Sequence, residues 1–285
     1  MKQQTAIGFL AFAGLVLTGC GSPDAAAELE AAQVTQELRG HKPRDAEFTV
    51  FAFSSHVSRS GEGPAGDVRL DSVTRDEKTW SQNDLQTVEW ARILVDDGVD
   101  VARGGHNLAS GRGIDSELDG WEDEGPATIT PVSDDLAESL GNFNLTSIVV
   151  TRENVGTASV EVRFAKPAST FFFWERGNAT SPTTANSDLL VEALDGFGRV
   201  IASHKLLRSE YAPTGIAITT WNGSFASPST PGGTPPQLGS AGLSLSTKVT
   251  RLRLTSVQEA PGGVVDDGPD YKVIAAEPAR SPRSR

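Results

Sequence analysis

The chain has 285 residues, 38% of them hydrophobic, enough to bury the core of one large domain or two small ones. Its 25 Lys and Arg against 37 Asp and Glu give a formal net charge of -12, which repels phosphate backbones and argues against a nucleic-acid partner. A single cysteine excludes a disulfide framework and any cysteine-built zinc or iron-sulfur centre, and four histidines leave little for a histidine-rich one.

In chain order, Met1-Lys2-Gln3-Gln4 is a short basic start, and Ala6 to Leu17 is an apolar run too short to span a bilayer comfortably. That pattern is an export signal. It ends in Leu17-Thr18-Gly19-Cys20, which resembles the lipobox of bacterial lipoproteins. On this reading residues 1–19 are a signal peptide and Cys20, the chain's one cysteine, becomes the lipidated N-terminus. Each buried acyl methylene contributes about 0.8 kcal/mol, so several chains on one residue hold the protein on a membrane. Gly21-Ser22 lacks the Asp that marks inner-membrane retention, which directs the expectation to the outer membrane or cell surface. A plain signal peptide with an incidental cysteine is the competing reading.

Residues 20–45 read as a tether: Ala25 to Ala32 is a good intrinsic helix former with almost no apolar face. Residues 46–277 read as a single domain, its 46–135 portion the less regular. Glu47 to Phe53 is β-branched and aromatic, a strand. Asp84 to Leu94 is the one helix expected in the body, and Asp96 to Thr130, rich in Gly and Asp, reads as a long loop.

Further strands are expected at Ser147 to Thr151, Ser159 to Phe164, Thr170 to Glu175, Leu189 to Leu194, Arg199 to His204, Gly215 to Trp221, Val249 to Leu254 and Tyr271 to Ala275. In Ser159 to Phe164 and Val249 to Leu254 apolar and charged residues alternate, as in antiparallel strands with one solvated face. Asp195-Gly196-Phe197-Gly198 reads as a hairpin turn. The Pro/Gly/Ser-rich Ser224 to Ser240 reads as a loop, and residues 278–285 as a disordered basic tail. Short strands without a strand-helix-strand rhythm predict an all-β chain, an antiparallel β-sandwich of jelly-roll type with long loops.

Four segments carry a family resemblance: Leu140-Gly141-Asn142-Phe143-Asn144-Leu145; Phe172-Phe173-Trp174-Glu175-Arg176-Gly177 followed by Asn186-Ser187-Asp188-Leu189; Gly242-Leu243-Ser244-Leu245-Ser246; and Gly268-Pro269-Asp270-Tyr271-Lys272-Val273-Ile274. In their order and spacing, over about Leu140 to Ala276, the chain resembles the exosortase-dependent surface proteins of XDP type two, associated with PEP-CTERM sorting. The resemblance implies a surface-displayed extracellular domain without an assigned activity. The C-terminal Pro-Glu-Pro, membrane helix and basic tail of that family are not found here; Glu277-Pro278 and the final arginines resemble only the flanks. The lipobox is expected to supply the anchor instead.

Glu175, Arg176, Asn186 and Asp188 surround the aromatic strand ending at Trp174. As a ligand site they suit a glycan, with an indole face to stack on a sugar and charged groups to bridge its hydroxyls. As a structural site they form an ion-pair network at the core's edge, Arg176 bidentate to Asp188, and this is the preferred reading. Acid clusters recur at Asp96-Asp97-Gly98-Val99-Asp100, at Asp115, Glu117 and Asp119, and at Asp266, Asp267 and Asp270. Carboxylates beside glycines suit calcium, which takes roughly six to eight oxygens, but none follows the EF-hand spacing and solvated loops explain them more simply. No other cofactor is expected.

The chain contains no Gly-x-Ser-x-Gly elbow and no His-Glu-x-x-His, and His41, His56, His106 and His204 have no motif around them. The expected function is therefore a lipid-anchored structural or adhesive surface protein without catalytic activity. A carbohydrate-binding module for envelope polysaccharide is the alternative, and a secreted hydrolase the third reading.

Overall fold

A computed structural model describes residues 46–59, 67–96, 98–102, 128, 130–151, 157–175, 188–218, 237–257 and 269–276. All of these lie in the unit that begins at Asp45. The expected signal peptide, Cys20, tether and C-terminal tail fall outside the described residues.

In chain order the elements are β1 (Phe48–Phe51), β2 (Ser54–Arg59), β3 (Val68–Arg75), β4 (Lys78–Ser81), β5 (Leu85–Gln86), β6 (Val88–Asp96), β7 (Val99–Ala102), the helix α1 (Ser133–Leu140), β8 (Ile148–Thr151), β9 (Ala158–Glu175), β10 (Asp188–Leu194), β11 (Val200–Leu206), β12 (Ala212–Ala217), β13 (Gln237–Val257) and β14 (Tyr271–Ala276). Among the described residues they make an 11-stranded sheet and a 3-stranded sheet, β2-β3-β4. Every strand pair is antiparallel. The fold is the all-β sandwich expected from the strand pattern.

Two long strands, β9 and β13, organise the large sheet. The first half of β9 pairs with β6 and with the second half of β13, which carries β10 and then β11. The second half of β9 pairs with the first half of β13 and with β14. Between the halves the register slips twice. From Ser244↔Thr170 to Val249↔Ala168 the extra residues belong to β13, and from there to Arg251↔Arg163 they belong to β9. Paired bulges bend both strands together at one corner, where Pro167 withholds an amide hydrogen from the ladder. Ala165 to Pro167 and Ser246 to Lys248 are exposed there.

Two cores lie on opposite faces of the second half of β9. Val160, Val162, Phe164, Phe171, Phe173, Leu243, Leu252 and Val273 belong to the larger one. Phe172, Trp174 and Ile274 belong to a second, completed by Val68, Leu70, Val73 and Trp80 of the small sheet. The second half of β9 and all of β14 are therefore covered on both faces, which is why Phe171 to Glu175 and Tyr271 to Ala276 are buried without alternation.

Three expectations are corrected. Asp84 to Leu94 is not a helix but β5 and most of β6. Bulges at Val88/Trp90 and Ile93/Val95 place buried Val88 and Ala91 three residues apart on one face, which imitates helical spacing. The loop expected from Asp96 contains β7, held against β8, with Val101 exchanging backbone hydrogen bonds with Thr128. Within the expected loop at Ser224 to Ser240, β13 already begins at Gln237. Sequence reasoning also missed α1. Its signals are acidic residues at the start, Asp135 accepting the Val132 N–H at 2.7 Å, and Leu136 and Leu140 one turn apart, both buried.

Candidate functional site

The predicted site lies where β9 ends and β10 begins. Period-two geometry turns Trp174 to the face covered by the small sheet. It is fully buried, its Nε1 donates to Ser55 Oγ at 2.9 Å, and its ring meets Phe53 edge-on at 5.3 Å. The indole that the glycan reading needs on the surface is a core side chain. Glu175 is also buried, in register with Tyr271 on one side and Gly239 on the other. Asp188, the first residue of β10, meets Lys205 Nζ at 3.0 Å and accepts the Arg208 backbone N–H at 3.1 Å. Arg176 and Asn186, and with them the expected Arg176 pair, lie outside the described residues.

What the structure adds is the chain's two tyrosines. Burial, reinforced by Glu175, Asp188, Glu210 and Tyr271, pushes the Tyr211 hydroxyl well above its ordinary range, and burial raises Tyr271 as well. The Tyr211 hydroxyl has no hydrogen-bond partner among the described residues. Nothing in the motifs announced it, since Tyr211 follows a short turn remote in sequence from β9. The cluster gathers buried acids around phenols whose ionisation burial opposes.

Of the calcium candidates, Asp115, Glu117, Asp119, Asp266 and Asp267 lie outside the described residues, and Asp270 is buried just before β14. In the first acid cluster Asp96 Oδ1 accepts the Val99 N–H at 3.2 Å, and Asp100 is buried on β7. Among the described residues no three His, Cys, Asp or Glu side chains are grouped to hold a metal.

A second polar cluster joins two of the sequence segments. Lys272, in register with Trp174 on β14, is fully buried. Its Nζ donates to the Ser139 carbonyl at 2.6 Å and to Asn142 Oδ1 at 2.8 Å, and neither partner is charged. Burial holds the amine well below its ordinary range. The turn after α1 is tied internally by Asx bonds: Asn142 Oδ1 accepts the Asn144 N–H, and Asn144 Oδ1 accepts the Thr146 N–H, each at 2.9 Å. Thr146 Oγ in turn donates to Asp67 Oδ1 at 2.7 Å.

On the outer face of the sheet a charge ladder crosses four strands, Arg92, Glu161, Arg253 and Glu192 standing in register on β6, β9, β13 and β10. Glu161 departs from the solvated face expected for it, since only 2% of its side chain is exposed. Arg251 binds its Oε1 and Arg92 its Oε2, the latter at 3.1 Å, and their stems shield it from water. Nearby, Trp90 is half-buried with the Arg92 and Arg163 guanidinium carbons 5.5 and 5.6 Å from its ring centroid. Comparison of the chain with protein-family models, with curated proteins and with solved structures finds no match.

Proposed function

We propose that this protein is a lipid-anchored, extracytoplasmic surface protein whose β-sandwich is structural or adhesive rather than catalytic. The anchor rests on the sequence from Met1 to Cys20. The observation that supports a structural role is the use made of the predicted site: Trp174 fills the second core, Asp188 ties β10 to Lys205 and the turn before β12, and Glu175 closes the end of β9.

The test is metabolic labelling with palmitate, followed by fractionation and protease treatment of intact cells. The native chain is expected to label and to be found in the envelope, whereas Cys20→Ser loses the label. Unchanged labelling of the variant refutes the anchor. A second reading, binding of envelope polysaccharide, is favoured by one observation: the half-buried Trp90 between two arginines on an open sheet face. Selective retention on the organism's own polysaccharide, lost in Trp90→Ala, would move the assignment to a binding module.

A further inference from the structure

We propose that Lys272 and Asn142 are joined by an intramolecular isopeptide bond, formed without a cofactor inside the folded domain. The inference rests on the geometry of the buried cluster and is independent of the surface-display reading.

Charged lysines in a protein interior are ordinarily paired with a carboxylate. Lys272 instead points its nitrogen at a primary carboxamide, with Oδ1 at 2.8 Å. The parts of an acyl transfer stand around that contact. The nucleophile is an amine whose burial favours the neutral form. The Asn144 N–H, 2.9 Å from Oδ1, is a fixed donor for the negative charge that develops there during addition. Asn142 Nδ2, the leaving nitrogen, is held by the Glu138 carbonyl at 2.9 Å and lies 3.4 Å from Ser147 Oγ. That hydroxyl is itself 3.2 Å from Ser139 Oγ. Burial on every side fixes the reacting groups together and excludes water that would hydrolyse the carboxamide.

The step balances within the chain. The lone pair of neutral Nζ adds to Cγ of Asn142, and the displaced electron pair rests on Oδ1 under the Asn144 N–H. One Nζ proton is transferred to Nδ2 within the tetrahedral adduct, where both nitrogens are bonded to Cγ, the Cγ–Nδ2 bond breaks as the carbonyl re-forms, and ammonia leaves. The remaining Nζ proton is retained by the new secondary amide and donates to the Ser139 carbonyl, already 2.6 Å away. The product replaces a buried amine by a neutral, hydrogen-bonded amide. It also ties β14 to the turn after α1 across 130 residues of sequence.

The experiment is intact-mass measurement and tryptic peptide mapping of the purified, folded full chain after incubation at neutral pH. The expected result is a branched peptide joining the Asn142 and Lys272 segments, lighter by one ammonia than the two peptides together. In Lys272→Met, which keeps the stem and removes the nucleophile, the branch and the ammonia loss are both expected to vanish. The native chain decides the matter even if this variant folds poorly. Recovery of both peptides unlinked from folded native protein, or ammonia loss confined to a cyclised Asn142, overturns the proposal. So does persistence of the loss in Lys272→Met.

Discussion

Glu161 offers the most direct probe of how the large sheet is held. It sits on the central strand β9 with one carboxylate oxygen bound by Arg251 and the other by Arg92. The acid is 2% exposed, while Arg92 and Arg251 are 50% and 25% exposed, so the arginines can rehydrate if the acid is lost but the acid cannot if they are. Glu161→Gln keeps the shape and removes the charge; with charge-assisted bonds worth about 1.5–3 kcal/mol and partners that recover some hydration, the expected loss is about 2 kcal/mol. Arg251→Met keeps the stem but leaves a buried carboxylate with Arg92 alone, an expected loss of about 3 kcal/mol. In the double variant the stranded charge is gone, so it is expected to fall short of the sum by at least about 1 kcal/mol. Urea unfolding of the four proteins measures the cycle. Effects that add to within about 0.5 kcal/mol would show that the pair is solvated and would refute the shielding argument.

Gly242→Ala drives a Cβ into the Phe51 ring, which packs edge-on against Phe172 at 5.9 Å. Displacing that ring is expected to cost about 1–3 kcal/mol, seen as a lower urea midpoint, with Gly242→Ala/Phe51→Leu partly restored. Tyr211→Phe removes a buried hydroxyl without a partner among the described residues and is expected to raise stability by about 1 kcal/mol. The same variant tests the alkaline limb. Tyr211 and Tyr271 have raised pKa values in the folded chain, so their contribution is intact below about pH 10 and is lost as the unfolded chain ionises above it. The loss per tyrosine is about 1.4 kcal/mol per pH unit, and Tyr211→Phe is expected to halve the slope. An unchanged slope would mean that Tyr211 is not held protonated.

Local chemistry was readable in the sequence. The hairpin at Asp195 to Gly198 needs only its own residues: Asp195 Oδ1 accepts the Phe197 and Arg199 N–H groups, and Gly198 takes the positive φ of 80°. The alternation of Phe171 and Phe173 against Phe172 and Trp174 was likewise legible, because the pleat has a period of two whatever the strand packs against. The same holds for most strand centres of the second half.

Tertiary structure decided what lies on each face. Ser159 to Phe164 and Thr170 to Glu175 read as two strands because Ala165 to Pro167 interrupts the pattern, yet paired bulges with β13 carry one strand around the corner. The helix expected at Asp84 to Leu94 failed for the same reason, since bulges are set by the partner strand and not by local propensity. The glycan alternative needed Trp174 on the surface, and the small sheet, contributed by residues 54–81 far earlier in the chain, covers it. Lys272 read as one residue of a motif, and its partner Asn142 lies 130 residues away. Periodicity and turn chemistry act within a few residues and survive in any context. Burial of a charge or an indole depends on which distant strand arrives above it, and a linear pattern carries no record of that.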